Sequence, residues 1–164
     1  MMAAAPTLGE MELAYRRVAC AYAKAADHGP GEAFAAVFAE GGRVVTPRRV
    51  VTREMMPDVP QRLKATYAAT RHEVLNQTIE RVDGNRVLGE TYCCAHHLSF
   101  HGDKPNTALV WLLRYKDEMV RDGANLLFVS REIIIDWTET RTANAPGVVY
   151  PDASTIPVDS VPAK

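Results

Sequence analysis

The side chains able to move protons are few, and their placing is informative. Asp27 closes the apolar-faced run "YAKAAD", just before the helix-breaking "HGPG". A carboxylate there can cap the next element or close the turn. It can equally stand as a general base at the mouth of a pocket. Five histidines are spread along the chain. His28 and His101 fall in turn-forming runs and read as solvated. His72 opens a β-branched stretch, either as a surface residue or as a pocket imidazole. His96 and His97 are adjacent. Elimination chemistry needs a base that takes a proton from carbon and an acid or donor that helps the leaving group depart. An imidazole oriented by a carboxylate is more basic and titrates near the working pH. A second histidine or a tyrosine across the cavity can bind or protonate oxygen.

These groups are held by two kinds of element. Residues 10–27 place Met11, Leu13, Ala14, Val18, Tyr22 and Ala25 at helical spacing, which predicts an amphipathic helix. Residues 31–39 predict a short second helix with Phe34, Val37 and Phe38 on its apolar face. The β-branched run 43–52, interrupted by Pro47, predicts two short strands or one broken edge strand. Residues 53–69 predict a third helix. The period then changes. Strands are expected over 72–82, 86–100, 107–120 and 126–140, with Asp83-Gly84 and Asp122-Gly123 as hairpin turns.

Three helices followed by a long-stranded meander define an α+β fold. The expected form is a cone-shaped α+β barrel, its helices packed on a strongly curved antiparallel sheet. The wide end of such a cone holds a pocket for small apolar molecules. The expected organisation is a flexible N-terminus over 1–9, the barrel over 10–142, and a Pro-rich tail or lid over 143–164.

Alternation along strands sorts the candidate pocket residues. His72, Val74, Asn76 and Thr78 share one face. Thr91, Cys93, Ala95, His97 and Ser99 share another, small and slightly polar as a ligand wall would be. This sets His97 inward and leaves His96 as a packed or interface residue. Asn76 either bonds a ligand or pairs within the sheet. Cys93 could line the pocket, though no neighbour in sequence marks it as a nucleophile. Arg131 and Asp136 have opposite parity, so at most one faces the pocket on a regular strand. Tyr22 lies on the apolar stripe of the first helix, five residues before Asp27, as a core residue or a pocket hydroxyl. Trp111 and Trp137 read as core or interface aromatics.

The runs "YAKAAD", "FAAVFAE", "TRH" and "REIIIDW", spanning roughly residues 10–140, resemble the SnoaL-like branch of the nuclear transport factor 2-like superfamily. The resemblance implies the cone fold and a pocket open at one end. It is nearest to scytalone dehydratase and related dehydratases and dehydrochlorinases. Asp27 falls where those enzymes keep a helix-end aspartate paired with a histidine, and His72 falls at that histidine. His97 falls at a second pocket histidine, and Tyr22 at a pocket tyrosine. Ala26 and the neighbourhood of Thr46 stand where scytalone dehydratase has tyrosines, so the resemblance does not carry that enzyme's substrate over. The resemblance implies a cofactor-independent lyase acting on a hydrophobic cyclic or aromatic molecule, with Asp27, His72 and His97 catalytic. Tyr22, Asn76, Cys93 and Arg131 would contact substrate. The alternatives are a proton-shuttling isomerase or cyclase, in which Asp27 acts directly, and a non-catalytic binding domain.

Composition removes other classes. The 164 residues carry a formal charge of −1, with no basic patch for nucleic acid. No apolar run is long enough to span a membrane. The start, "MMAAAPTLGEME", lacks the basic region of a secretory signal. Three cysteines, two of them adjacent, make no disulfide framework and indicate a reducing cytoplasm. No CxxC or HExxH run marks a zinc site, so no metal and no cofactor are expected. A homodimer is expected, through an outward strand face carrying Trp111, Leu113 and Tyr115.

Overall fold

The computed structural model describes residues 6–101 and 104–143. The expected tail or lid falls almost wholly outside these residues. Helix α1, Leu8–His28, starts from a capping box: Thr7 Oγ1 accepts from the Glu10 backbone, and the Glu10 carboxylate accepts from the Thr7 backbone. Its buried stripe runs through Tyr15, Val18, Ala19 and Tyr22 to Ala26. Gly29 ends it, donating its amide to the Ala25 carbonyl. Helix α2, Gly31–Ala36, is shorter than expected, because Phe38 opens strand β1, Phe38–Val45. Phe38 pairs with Phe128, and this sheet contact overrides the local helical pattern. Gly41 at φ 69° sits in the bulge that follows.

Strand β2, Val50–Thr52, folds back on β1 as an edge hairpin. The third expected helix is split. A 3-10 helix, Arg53–Asp58, contains Pro57, and helix α3 runs over Val59–Thr66. Four long strands follow: β3 Ala69–Asp83, β4 Arg86–His101, β5 Lys104–Asp122 and β6 Asn125–Ala143. Gly84 and Gly123, at φ 61° and 60°, make the two predicted hairpin turns.

The sheet order is β2-β1-β6-β5-β4-β3, antiparallel except where β1 lies parallel to β6. The sheet is curved and not closed, and the helices pack against one face of it. The core between them is aromatic. Tyr22 touches Phe34, Phe38, Tyr115 and Phe128, with ring centroids 4.9–6.2 Å apart. Leu113 and Tyr115 are buried in this core, and Trp111 packs against it. The outward face expected for these three is therefore their inward one. The outward face instead exposes Tyr92 and Trp137. Among the described residues no helix is long and apolar enough to cross a membrane.

Candidate functional site

The C-terminal end of α1 brings Asp27 against the start of β3. Thr70 and His72, two residues apart and so on one face, point at its carboxylate. Thr70 Oγ1 donates to Oδ1 at 2.8 Å, and the His72 backbone amide donates to Oδ2 at 2.8 Å. The His72 ring meets Oδ1 through Nδ1 at 2.7 Å. An ionised carboxylate only accepts, so Nδ1 carries a proton, and in the neutral ring Nε2 keeps its lone pair. Burial raises the Asp27 pKa, but the bonds from His72 and Thr70 outweigh it and hold the group below the usual carboxylate range.

His97 stands behind this pair on β4. Its ring centroid is 6.0 Å from that of His72, nearly perpendicular at 82°. Tyr67 and Trp111 flank it at 4.7 and 4.8 Å. His97 Nδ1 donates to the Leu109 carbonyl at 3.3 Å, which leaves Nε2 as an acceptor. Burial, with His72 adding to it, pushes the His97 pKa down to about 4. At neutral pH this imidazole is uncharged. It can accept from a hydroxyl, but it is not an imidazolium that gives up a proton.

Two hollows meet at Asp27. One, of about 200 Å³, lies between α3 and β3, lined by Leu63, Tyr67, Ala69 and Thr70. The other, of about 320 Å³, lies between α1 and β3, lined by Arg16, Cys20, Lys24, His72 and Val74. His97 itself lines neither hollow, and neither do the remaining expected contacts. Tyr22 is in the aromatic core, where burial pushes its hydroxyl up to about 12. Cys93 is buried beside Tyr115, its thiol pushed up to about 11, again by burial.

Arg131 is fully buried at the inner face of β6. It makes two 2.8 Å bonds to Asp117, which also accepts from the Tyr15 hydroxyl at 2.7 Å. Its guanidinium lies 4.0–4.5 Å from the ring centroids of Tyr22, Tyr115 and Phe128. Asn76 is exposed. The register slips between Val74↔Cys93 and Gln77↔Thr91, a bulge that reverses the alternation. Gln77 therefore turns inward in place of Asn76 and donates to Thr91 Oγ1 at 3.1 Å.

The structure thus gathers Asp27, His72 and His97, and keeps Tyr22, Asn76, Cys93 and Arg131 apart from the hollows. Sequence reasoning missed Thr70, Tyr67 and Trp111 as neighbours of the site. Thr70 was within reach, since it shares parity with His72 once the strand begins at Ala69. Tyr67 and Trp111 carry no local signal, because only the folded sheet stacks them on His97.

The model of the SnoaL-like domain family matches residues 10–132, and the chain belongs to that family. The solved structures that share its fold include the following three. A candidate scytalone dehydratase from Novosphingobium aromaticivorans is 24% identical, covers 85% of this chain and 95% of its own, with a TM-score of 0.67. A candidate aromatic ring hydroxylase from the same organism is 16% identical, covers 83% and 96%, with a TM-score of 0.71. The LinA-type3 hexachlorocyclohexane dehydrochlorinase from Novosphingobium barchaimii is 13% identical, covers 80% and 90%, with a TM-score of 0.69. At these identities the likeness is one of fold. No curated protein matches the chain in sequence.

Proposed function

We propose that the protein is a cofactor-independent lyase that eliminates water or another small leaving group from a hydrophobic cyclic or aromatic molecule. The observation that carries this reading is the Asp27–His72 pair, 2.7 Å apart through Nδ1, which leaves Nε2 of the neutral ring free to take a proton. Asp27 orients the ring, and His72 Nε2 takes the proton from carbon. As the double bond forms and the bond to the leaving group breaks, the imidazolium returns that proton to a departing hydroxyl, which leaves as water, while a halide leaves as the anion. His97, neutral, accepts a hydrogen bond from a substrate hydroxyl. The apolar lining from Leu63, Tyr67 and Val74 suits a ring-shaped substrate. Structural neighbours named as a dehydratase and a dehydrochlorinase support the same class. The carboxylate-only isomerase or cyclase is the weaker reading. Asp27 already accepts three bonds and its pKa is lowered, which makes it a poor base.

Two further parts belong to this reading. The three cysteines are unpaired thiols, which supports a reducing cytoplasm. The exposed Tyr92 and Trp137 support a homodimer or higher homo-oligomer through the outer sheet face.

The test joins a structural and a catalytic readout. Nitrogen-15 NMR of the imidazoles should find His72 protonated at Nδ1 and bare at Nε2. Asp27→Asn should redistribute that tautomer. On a panel of cyclic β-hydroxy ketones and halogenated rings, His72→Ala should lower turnover by at least ~100-fold. A His72 ring protonated at Nε2 in the wild type, or turnover kept by both variants, would sink the reading.

A further inference from the structure

The opposite face of the same strands carries a second cluster of chemically able groups. On β4, Cys93, Ala95 and His97 turn toward the helices, so Cys94 and His96 turn away from them. Across the ladder Glu73 pairs with Cys94, and Arg71 pairs with His96. The result is a thiol, an imidazole and a carboxylate on one patch, their ligand atoms all within 4.8 Å of one another. Cys94 Sγ lies 3.3 Å from His96 Nε2, and His96 Nε2 lies 3.8 Å from Glu73 Oε2.

Those separations can be compared with a coordination polyhedron. Zinc binds sulfur at about 2.3 Å and nitrogen or oxygen at about 2.0–2.2 Å in a tetrahedron. The edges of that tetrahedron are then about 3.5 Å for sulfur to nitrogen and about 3.3 Å for nitrogen to oxygen. The two measured edges fall within about half an ångström of these values. The surroundings also suit an ion. Arg71 Nε holds the other Glu73 oxygen at 2.9 Å, which leaves Oε2 turned to His96. Leu112 and Val110, the β5 partners of Cys94 and His96, give the patch an apolar flank. Strand β3 is an edge strand, so the cluster lies at the margin of the outer face, away from Trp137 on β6, where an ion can enter from the open edge.

The geometry points to a transition-metal site formed by Glu73, Cys94 and His96, suited to Zn²⁺, with water in the fourth position. A mixed sulfur, nitrogen and oxygen set of this kind favours zinc over magnesium or calcium. On binding, the Cys94 thiol loses its proton to solvent and the thiolate takes the metal. Scanning the chain for zinc motifs does not reveal such a site, because its ligands come from two strands 21 positions apart at Glu73 and Cys94. The site is distinct from the Asp27–His72 pair, which lies on the other side of the sheet.

Cobalt(II) is the probe. One equivalent added to the purified, reduced protein should raise a thiolate-to-cobalt charge-transfer band and tetrahedral visible bands. Zn²⁺ should bleach both. Cys94→Ser should abolish the charge-transfer band, and His96→Ala or Glu73→Gln should weaken binding by roughly tenfold or more. Cys20→Ser, which removes the exposed thiol elsewhere, should keep it. Circular dichroism checks that each variant is folded, and the His96 and Glu73 variants stand in if Cys94→Ser is not. No band in the wild type, a band that survives in folded Cys94→Ser, or one lost in Cys20→Ser would overturn the proposal.

Discussion

Asp27 illustrates how one carboxylate can do work that three local roles would each explain. It neither caps α2 nor closes the turn; it takes three donors from β3. Its depressed pKa has a pH consequence. The folded-state value lies below the unfolded one, so Asp27 contributes stability that is complete above the ordinary carboxylate pKa of about 4. That contribution is lost as pH falls through the folded value. Denaturant midpoints measured from pH 6 down to pH 2 should therefore fall less steeply in Asp27→Asn than in the wild type. A second buried carboxylate gives a larger effect. Asp117 balances the fully buried Arg131, so Asp117→Ala strands a cation among three rings. It should cost about 3–5 kcal/mol in urea unfolding. The residues themselves were partly legible. Asp27, His72 and His97 could be named from the chain because they sit at element ends or within a clear alternation. The partner of Arg131 could not, because Asp117 becomes its neighbour only through the β5–β6 register.

At the scale of elements, regular periodicity was readable and its interruptions were not. Both hairpin turns and all four long strands could be placed within a few residues, since alternation and Asp-Gly turns are local signals. Strand β1 was read partly as helix, because its pairing partner on β6 lies 90 positions away at Phe128. The bulge at Leu75–Asn76 has no sequence mark either, and it exchanges the inward places of Asn76 and Gln77. Close approach between elements makes a further prediction. A Cβ on Gly89 would come within 2.7 Å of both the Thr78 carbonyl oxygen and the Tyr15 ring. Gly89→Ala should destabilise by about 1–3 kcal/mol, read as a lower urea midpoint with an unchanged slope. A glycine in this strand reads as a weak strand former; its use is to let α1 lie down on β4.

The whole molecule is an open curved sheet with its aromatic core nearest α1 and α2, and its hollows displaced toward β3. The α+β class followed from the order of elements alone. The extent of filling did not, because it depends on how five rings and one ion pair share the interior. Nor did the identity of the outer face, since alternation divides β5 into two apolar faces and only the helices packed on Leu113 and Tyr115 make one of them the inner face. On that outer face Trp137 is 58% exposed and Tyr92 46% exposed. Sedimentation velocity should find a species larger than a monomer, and Trp137→Lys should shift it toward monomer without changing the circular dichroism spectrum. A wild type that sediments as a monomer at high concentration would remove the self-association reading.

The link from Tyr15 to Asp117 spans 102 positions of chain. It has a bearing on the order in which this protein can be made. Helix α1 leaves the ribosome before β5 and β6, yet the surface it must cover is completed by those two strands. The Asp117–Arg131 pair can form early within its own hairpin while still wet, because its members are only 14 positions apart. Drying it requires Tyr15 and Tyr22 to arrive from the far end of the chain. Nascent α1 therefore waits with an apolar stripe uncovered, the interval in which chains of this topology are most open to chaperones and to aggregation.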